Sequence, residues 1–206
     1  TISTATLTAH AITLASSSAL SITNSSTGSI DGIISGTSVT LAKAGAGTLT
    51  LSGTNSYTGT TTISAGTLTL TGALSSSTGV VMTGTSIWDL QATQTIASLS
   101  MATGNSITRS AGTSALTVSG ASTLAGSITT SGTQTYNGAV TLGADTTLTA
   151  SAGDIAFGST VSGAHTLSAT ASAATTFADA IGGTPLTGLT ISTATLTAHA
   201  ITLASS

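Results

Sequence analysis

The residues able to titrate or to hold a metal are Asp31, Asp89, Asp145, Asp154, Asp179, Lys43, Arg109, His10, His165 and His199. Catalysis needs such groups to converge, one positioned to give a proton and another to take it. Asp145 and Asp154 lie near each other in sequence, but no Lys or Arg accompanies them. Asp31-Gly32 and the GAD of 143–145 have the form of turns, where a short polar side chain satisfies corner backbone groups. The histidines show no His-x-x-His spacing and no carboxylate close by in sequence, so they read as isolated outward side chains and not zinc ligands. Calcium-binding nonapeptides require regularly repeated aspartates, which are missing. GAGTLTLSG (45–53) lacks the Gly-Lys-Ser/Thr end of a phosphate loop. NSS at 24–26 fits a glycosylation sequon and reads as a turn. Tyr57, Trp88, Tyr136, Phe157 and Phe177 are too few for a sugar platform and read as core fillers. The expectation is no catalysis, with no catalytic, ligand-binding or metal residues and no cofactor.

Composition says what kind of scaffold carries so little chemistry. Charged residues make up 3% of the 206-residue chain, against roughly 25% in ordinary soluble proteins. The net charge of −3 offers no basic patch for nucleic acid or anionic lipid. No apolar run reaches the roughly 18 residues needed to span a bilayer, so no membrane insertion by this segment is expected. Cysteine is absent, which removes disulfides and thiolate metal sites. Yet 39% of residues are apolar and recur at short intervals, enough to bury a core and to exclude disorder. The chain begins with Thr and shows no signal peptide, and it reads as a cut from something longer.

Repetition is the strongest signal. TISTATLTAHAITLASS occupies 1–17 and recurs identically at 190–206, an offset of 190 − 1 = 189 residues. The economical reading is a tandem array: one unit at 1–189, then 190–206 as the start of the next. Within the unit, GTLTLSGT (47–54) returns as GTLTLTGA (66–73), nineteen residues later. That period extends as a ladder through Leu49, Leu68, Ile87, Ile107, Ile128, Leu148, Leu167 and Leu186, in steps of 19 to 21. About ten coils per unit follow.

Locally, TSVTLA, TTTISA, ALTVSG and AVTLGA alternate apolar residues with Thr or Ser at period two, the pattern of half-buried strands. Glycine-bearing segments such as STG, AGAG and GAD separate them as corners. No window has the charged face of a sustained amphipathic helix, and 168–183 is the best, weak, helix candidate. Short strands, frequent corners and a period near 19 predict an all-β chain folded as a parallel β-helix, or β-solenoid, with coils of 19–21 residues. An antiparallel sandwich has no reason to repeat at that interval.

AGAGTLTLSGTNSYTGTTTISAGTLTLTG (44–72) resembles the passenger-associated repeat of bacterial autotransporters. Gly47, Leu49, Asn55, Tyr57, Gly59, Thr61, Ile63, Gly66 and Leu68 stand at the places of its Gly-Thr-Leu, Asn-x-Tyr-x-Gly and Thr-x-Ile-x-x-Gly-x-Leu pattern. A second block, 130–163, resembles coils of filamentous-haemagglutinin-like large adhesins. The resemblance implies a right-handed parallel β-helix, exported and displayed outside a bacterial cell. Its motif is architectural and carries no site residues.

The expected function is a structural shaft segment of a long extracellular bacterial fibre or giant adhesin. Its expected partner is itself, through end-to-end continuation of the solenoid and lateral packing of shafts, with surface or cell contact as a further role. Two alternatives remain. One is an adhesin region binding a host or environmental surface. The other is an ice-binding Thr-rich solenoid, since TLT occurs at 6–8, 48–50, 67–69, 147–149 and 195–197. The shaft is favoured over ice binding because these Thr pairs do not recur in every coil and Ser, Ala and Asp interrupt them. Three structural expectations follow: the ladder is buried with Thr48, Thr50, Thr67 and Thr69 outside; salt leaves stability unchanged; and 190–206 meets the surroundings of 1–17, displaced by roughly 45–50 Å.

Overall fold

Thr, Ile and Val restrict χ1 and suit a pleated surface, and glycine turns the chain at the corners. The result, in a computed structural model that describes residues 1–205, is a β-solenoid of about ten turns in which every strand pairing is parallel. Each coil contributes up to three strands, and each strand pairs with its counterparts one coil below and above. No helix occurs among the described residues, and the weak helix candidate at 168–183 forms strands Thr166–Ala171 and Ala174–Phe177. Three faces result. Face I begins with Ile2–Thr4 and Ala19–Asn24, face II with Leu7–Ala9 and Thr27–Ile30, and face III with Ile12–Thr13 and Ile34–Ser35. Long strands such as Thr61–Leu70, Gly79–Leu90 and Val140–Ala150 bend around the corner between faces I and II.

The core runs along the axis as stacked ranks. On face II the inward rank is Leu7, Gly28, Leu49, Leu68, Trp88, Ile107, Ile128, Leu148, Ala169 and Ile191, with steps of 19 to 22 residues. Leu49, Leu68, Ile107, Ile128 and Leu148 are buried in one rank, as expected. Three members of the expected ladder are corrected. Ile87 is 39% exposed, and Trp88 takes its place inside. Strand Gly79–Leu90 carries one extra residue between Met82 and Thr85, so the step from Leu68 is 20 and not 19. A one-residue slip exchanges the two sides of a strand. Leu167 is buried but pairs with Thr146, leaving Ala169 opposite Leu148. Leu186 is buried against Leu203, in the strand that pairs on face I. Thr48, Thr50, Thr67 and Thr69 flank the inward rank on its outer side as expected, although Thr69 is covered there.

The duplicated segment shows the largest departure. Its strand–bend pattern recurs, but on different faces. Ile2 pairs with Ile22 on face I, while its copy Ile191 pairs with Ala169 on face II. Leu7 pairs with Gly28 on face II, while Leu196 pairs with Thr175 on face III. Ile12 pairs with Ile34 on face III, while Ile201 pairs with Ile181 on face I. The 189-residue offset therefore spans nine coils plus one face. Coil length is set by corners and neighbouring strands, and nothing obliges a sequence repeat to equal a whole number of coils. The expectation of identical surroundings does not hold, and Ser206 lies outside the described residues.

Candidate functional site

The ionisable residues are dispersed along the solenoid, most of them at corners, with Lys43 and Asp89 inside strands. Asp89, Asp145 and Asp154 act alike. Each accepts a 2.8 Å bond from a backbone N–H one coil further on, at Ser110, Thr166 and Ala174. Asp145 lies at the corner between faces I and II, and Asp154 at the corner before face III, so the structure does not bring the two together. Asp89 is the deepest of the five. Burial pushes its carboxyl upward, but donors from the Ser110 hydroxyl and N–H, from Gln91 and from Thr69 outweigh that and hold it below its usual range. Asp145 is held down chiefly by the Thr166 backbone and hydroxyl, with His165 nearby. Asp179 caps the adjacent Ala180 N–H.

The histidines do have carboxylate neighbours, contrary to the expectation from sequence. His10 Nδ1 lies 2.8 Å from Asp31 Oδ1, and His165 Nδ1 lies 3.9 Å from Asp145 Oδ1. Both partners sit about one coil away in sequence, a separation that winding makes adjacent. His199 instead faces the carbonyl of Phe177 at 3.2 Å. No group of three metal donors forms among the described residues. Lys43 is fully buried in the inward rank of face I, between Ile22 and Ile63. Its ammonium donates to the carbonyls of Ala44, Gly45 and Ala65 at 2.9, 2.8 and 3.1 Å, and burial lowers its pKa. Arg109 donates to the Gly112 carbonyl at 2.8 Å.

Buried amides form a second local device. Where face III lacks regular strands, Asn55 takes over the missing pairing. Its Oδ1 accepts from Ile34 N–H at 2.9 Å, and its Nδ2 donates to the carbonyls of Gly53 and Ala73, both at 3.0 Å. Gln94 repeats this two coils on, accepting from Leu74 N–H and donating to the Gly72 carbonyl. Asn105 does so at the corner between faces I and II, through Ser86, Met82 and Ala102. Asn55 joins the coils on either side of it, whereas Gln94 and Asn105 tie their own coil to the one before. Further along face III, the rings of Tyr136, Phe157 and Phe177 stack with centroids 5.4 and 4.7 Å apart. The five aromatics are all buried, as core fillers should be.

The feature that fixed-period reasoning misses lies outside face II. The rank of inward residues there is flanked in each coil by two outward positions, making twenty in ten coils. Eighteen carry hydroxyls, thirteen Thr and five Ser, as TLT, TGS, TLT, TLT, SIT, SIT, TLT, SAT and TIS. The two exceptions share one coil: Ile87 and Asp89. Thr-x-Thr itself occupies only four of these ten coils, at 6–8, 48–50, 67–69 and 147–149, as the sequence indicates, but hydroxyl pairs of either kind recur in nine coils of ten. Register along face II is unbroken, since both irregularities fall at the corner before it. The TLT of 195–197, by contrast, lies on face III. The signal that finds the face is Ser/Thr-x-Ser/Thr with any central residue, at steps free to vary from 19 to 22.

With the geometry established, comparison with known proteins is informative at one place. Residues 41–70 match the passenger-associated-transport-repeat. No curated protein and no solved structure matches the chain. Within the repeat, Asn55 is the clip just described, and Tyr57 is fully buried with its hydroxyl 2.6 Å from that of Thr61. Leu49, Ile63 and Leu68 are core. Gly66 turns a corner at φ +66°, and a Cβ at Gly59 would collide with the Val39 carbonyl. The repeat's residues form the core and corners that hold one coil to the next.

Proposed function

We propose that this chain is a shaft segment of an extracellular bacterial fibre or giant adhesin, displayed at the cell surface and without catalytic activity. The observation that carries the reading is that the chain's scarce polar chemistry is spent between coils. Asp89, Asp145, Asp154, Asn55 and Gln94 each bond a backbone group of a neighbouring coil, and Lys43 is locked onto three carbonyls. A passenger-associated-transport-repeat at 41–70 supports export. In a solenoid each coil is stabilised by its immediate neighbours, so such a segment extends by adding coils. On this reading 1–189 is a unit, 190–206 opens the next, and the partner is the chain's own continuation, end to end.

The test is surface shaving of intact producing cells followed by electron microscopy. Antibody against this segment should label thin filaments of uniform width, and protease added outside should remove the label. A segment protected inside intact cells, or found in a compact particle, would refute the proposal.

A further inference from the structure

The outer surface of face II goes beyond what a shaft requires, and we propose that it binds ice. The structure assigns to this face a two-dimensional grid of hydroxyls and methyls. Two ranks lie about 6.6 Å apart along the strand, two residues at roughly 3.3 Å each, and repeat about every 4.8 Å from coil to coil. Nine inter-coil steps carry the grid over about 43 Å. A prism face of hexagonal ice presents oxygens on a rectangular grid of closely similar dimensions. Water held by the hydroxyls and caged around the methyls of such a surface is already ordered as a layer of the crystal.

Three observations favour ice over other occupants. The face carries almost no charge: Asp89 is its one ionisable group, and its carboxylate is folded onto Ser110 and Gln91. A charge would hold its own hydration shell and disrupt the layer. Thirteen of the eighteen hydroxyl residues are Thr, whose branching at Cβ limits χ1, and unbroken parallel register stacks like upon like. The other faces lack the grid. Face III has a single outward file through Thr95, Thr117, Thr135, Ala156 and Thr176, and the outward file of face I includes Ala42 and Val81. A second copy docking on face II would meet no contiguous apolar patch to bury, since Ile87 is its one large apolar outward residue. Ile87 and Asp89 interrupt the grid at one coil, with four hydroxyl coils before it and five after.

The experiment measures ice-recrystallisation inhibition and thermal hysteresis of the purified chain, with folding followed by circular dichroism. Wild type should inhibit recrystallisation at micromolar concentration. Thr27→Lys with Thr147→Lys, on face II, should abolish the activity; Thr117→Lys with Thr135→Lys, on face III, should leave it unchanged. Ile87→Thr restores one of the two interrupted positions and should lower the inhibitory concentration. That gain remains decisive if the lysine variant fails to fold. A folded but inactive wild type, equal losses from the two lysine pairs, or sedimentation showing face II buried in a dimer would overturn the proposal. None of these outcomes bears on surface display, which the shaving experiment decides separately.

Discussion

Faces II and III are built from the same alternation of apolar and hydroxyl residues, yet they place their specificity on opposite sides. Face III is elaborated inward. Its rings stack in the core, and Asn55 and Gln94 patch its missing strands. Face II is plain inside, mostly Leu and Ile, and regular outside. The difference separates what holds coils together from what confronts solvent. Inward elaboration tolerates irregular outer residues, whereas an outer grid demands that every coil keep register.

That contrast can be broken by mutation. Phe157→Ala removes the middle ring of the stack and should cost about 3–5 kcal/mol. Thr147→Ala, outside face II, should stay within about 0.5 kcal/mol. Denaturation curves of the pair measure the gap, and equal effects would erase the distinction between the faces. Asn55→Ala comes next. It leaves Ile34 N–H without its side-chain acceptor, at about 1–3 kcal/mol, and hydrogen exchange should quicken at Ile34 before it does on face II.

Asp89 sharpens the comparison at the one coil where face II uses an inter-coil clip. Its folded pKa is held below the ordinary value of 3.8, so the folded state binds its proton less readily than the unfolded chain. The stabilisation is complete above that value and is lost as pH falls through the lower, folded one. Melting temperature of wild type should therefore decline in acid more steeply than that of Asp89→Asn, and the two should run parallel above about pH 5. Superimposable curves in acid would remove Asp89 from the set of clips. The smallest effect is expected from salt. Among the described residues neither Lys43 nor Arg109 is bonded to a carboxylate, and the imidazole–carboxylate contacts are His10 with Asp31 and His165 with Asp145, at partly or fully exposed sites. Exposed pairs contribute about 0–1 kcal/mol, so melting should barely move between low salt and 1 M NaCl.

Much of the fold is legible in the sequence because it depends on local alternation. The strands around Leu49 and Leu68, their burial, and the corner glycines of 44–72 follow from period two and period nineteen. What depends on coil length does not. One extra residue after Met82 exchanges Ile87 for Trp88, and Ala169 displaces Leu167 from its rank. The His10–Asp31 contact and the hydroxyl ranks are relations between residues a coil apart, invisible until each coil's length is known. Lys43 looks like a free strong base in sequence, and nothing in its neighbours AKAG announces that three carbonyls will enclose its ammonium.

The offset of nine coils plus one face has a consequence for any shaft assembled from 189-residue units. Each unit would present its hydroxyl plane one side further round the rod than the unit before, and the third step would restore the first orientation. A plane that stayed on one side would make the filament a ribbon, sticky along a single edge. Stepped in this way it would be a rod without a preferred side, with a hydroxyl plane about 43 Å long facing each of three directions in turn.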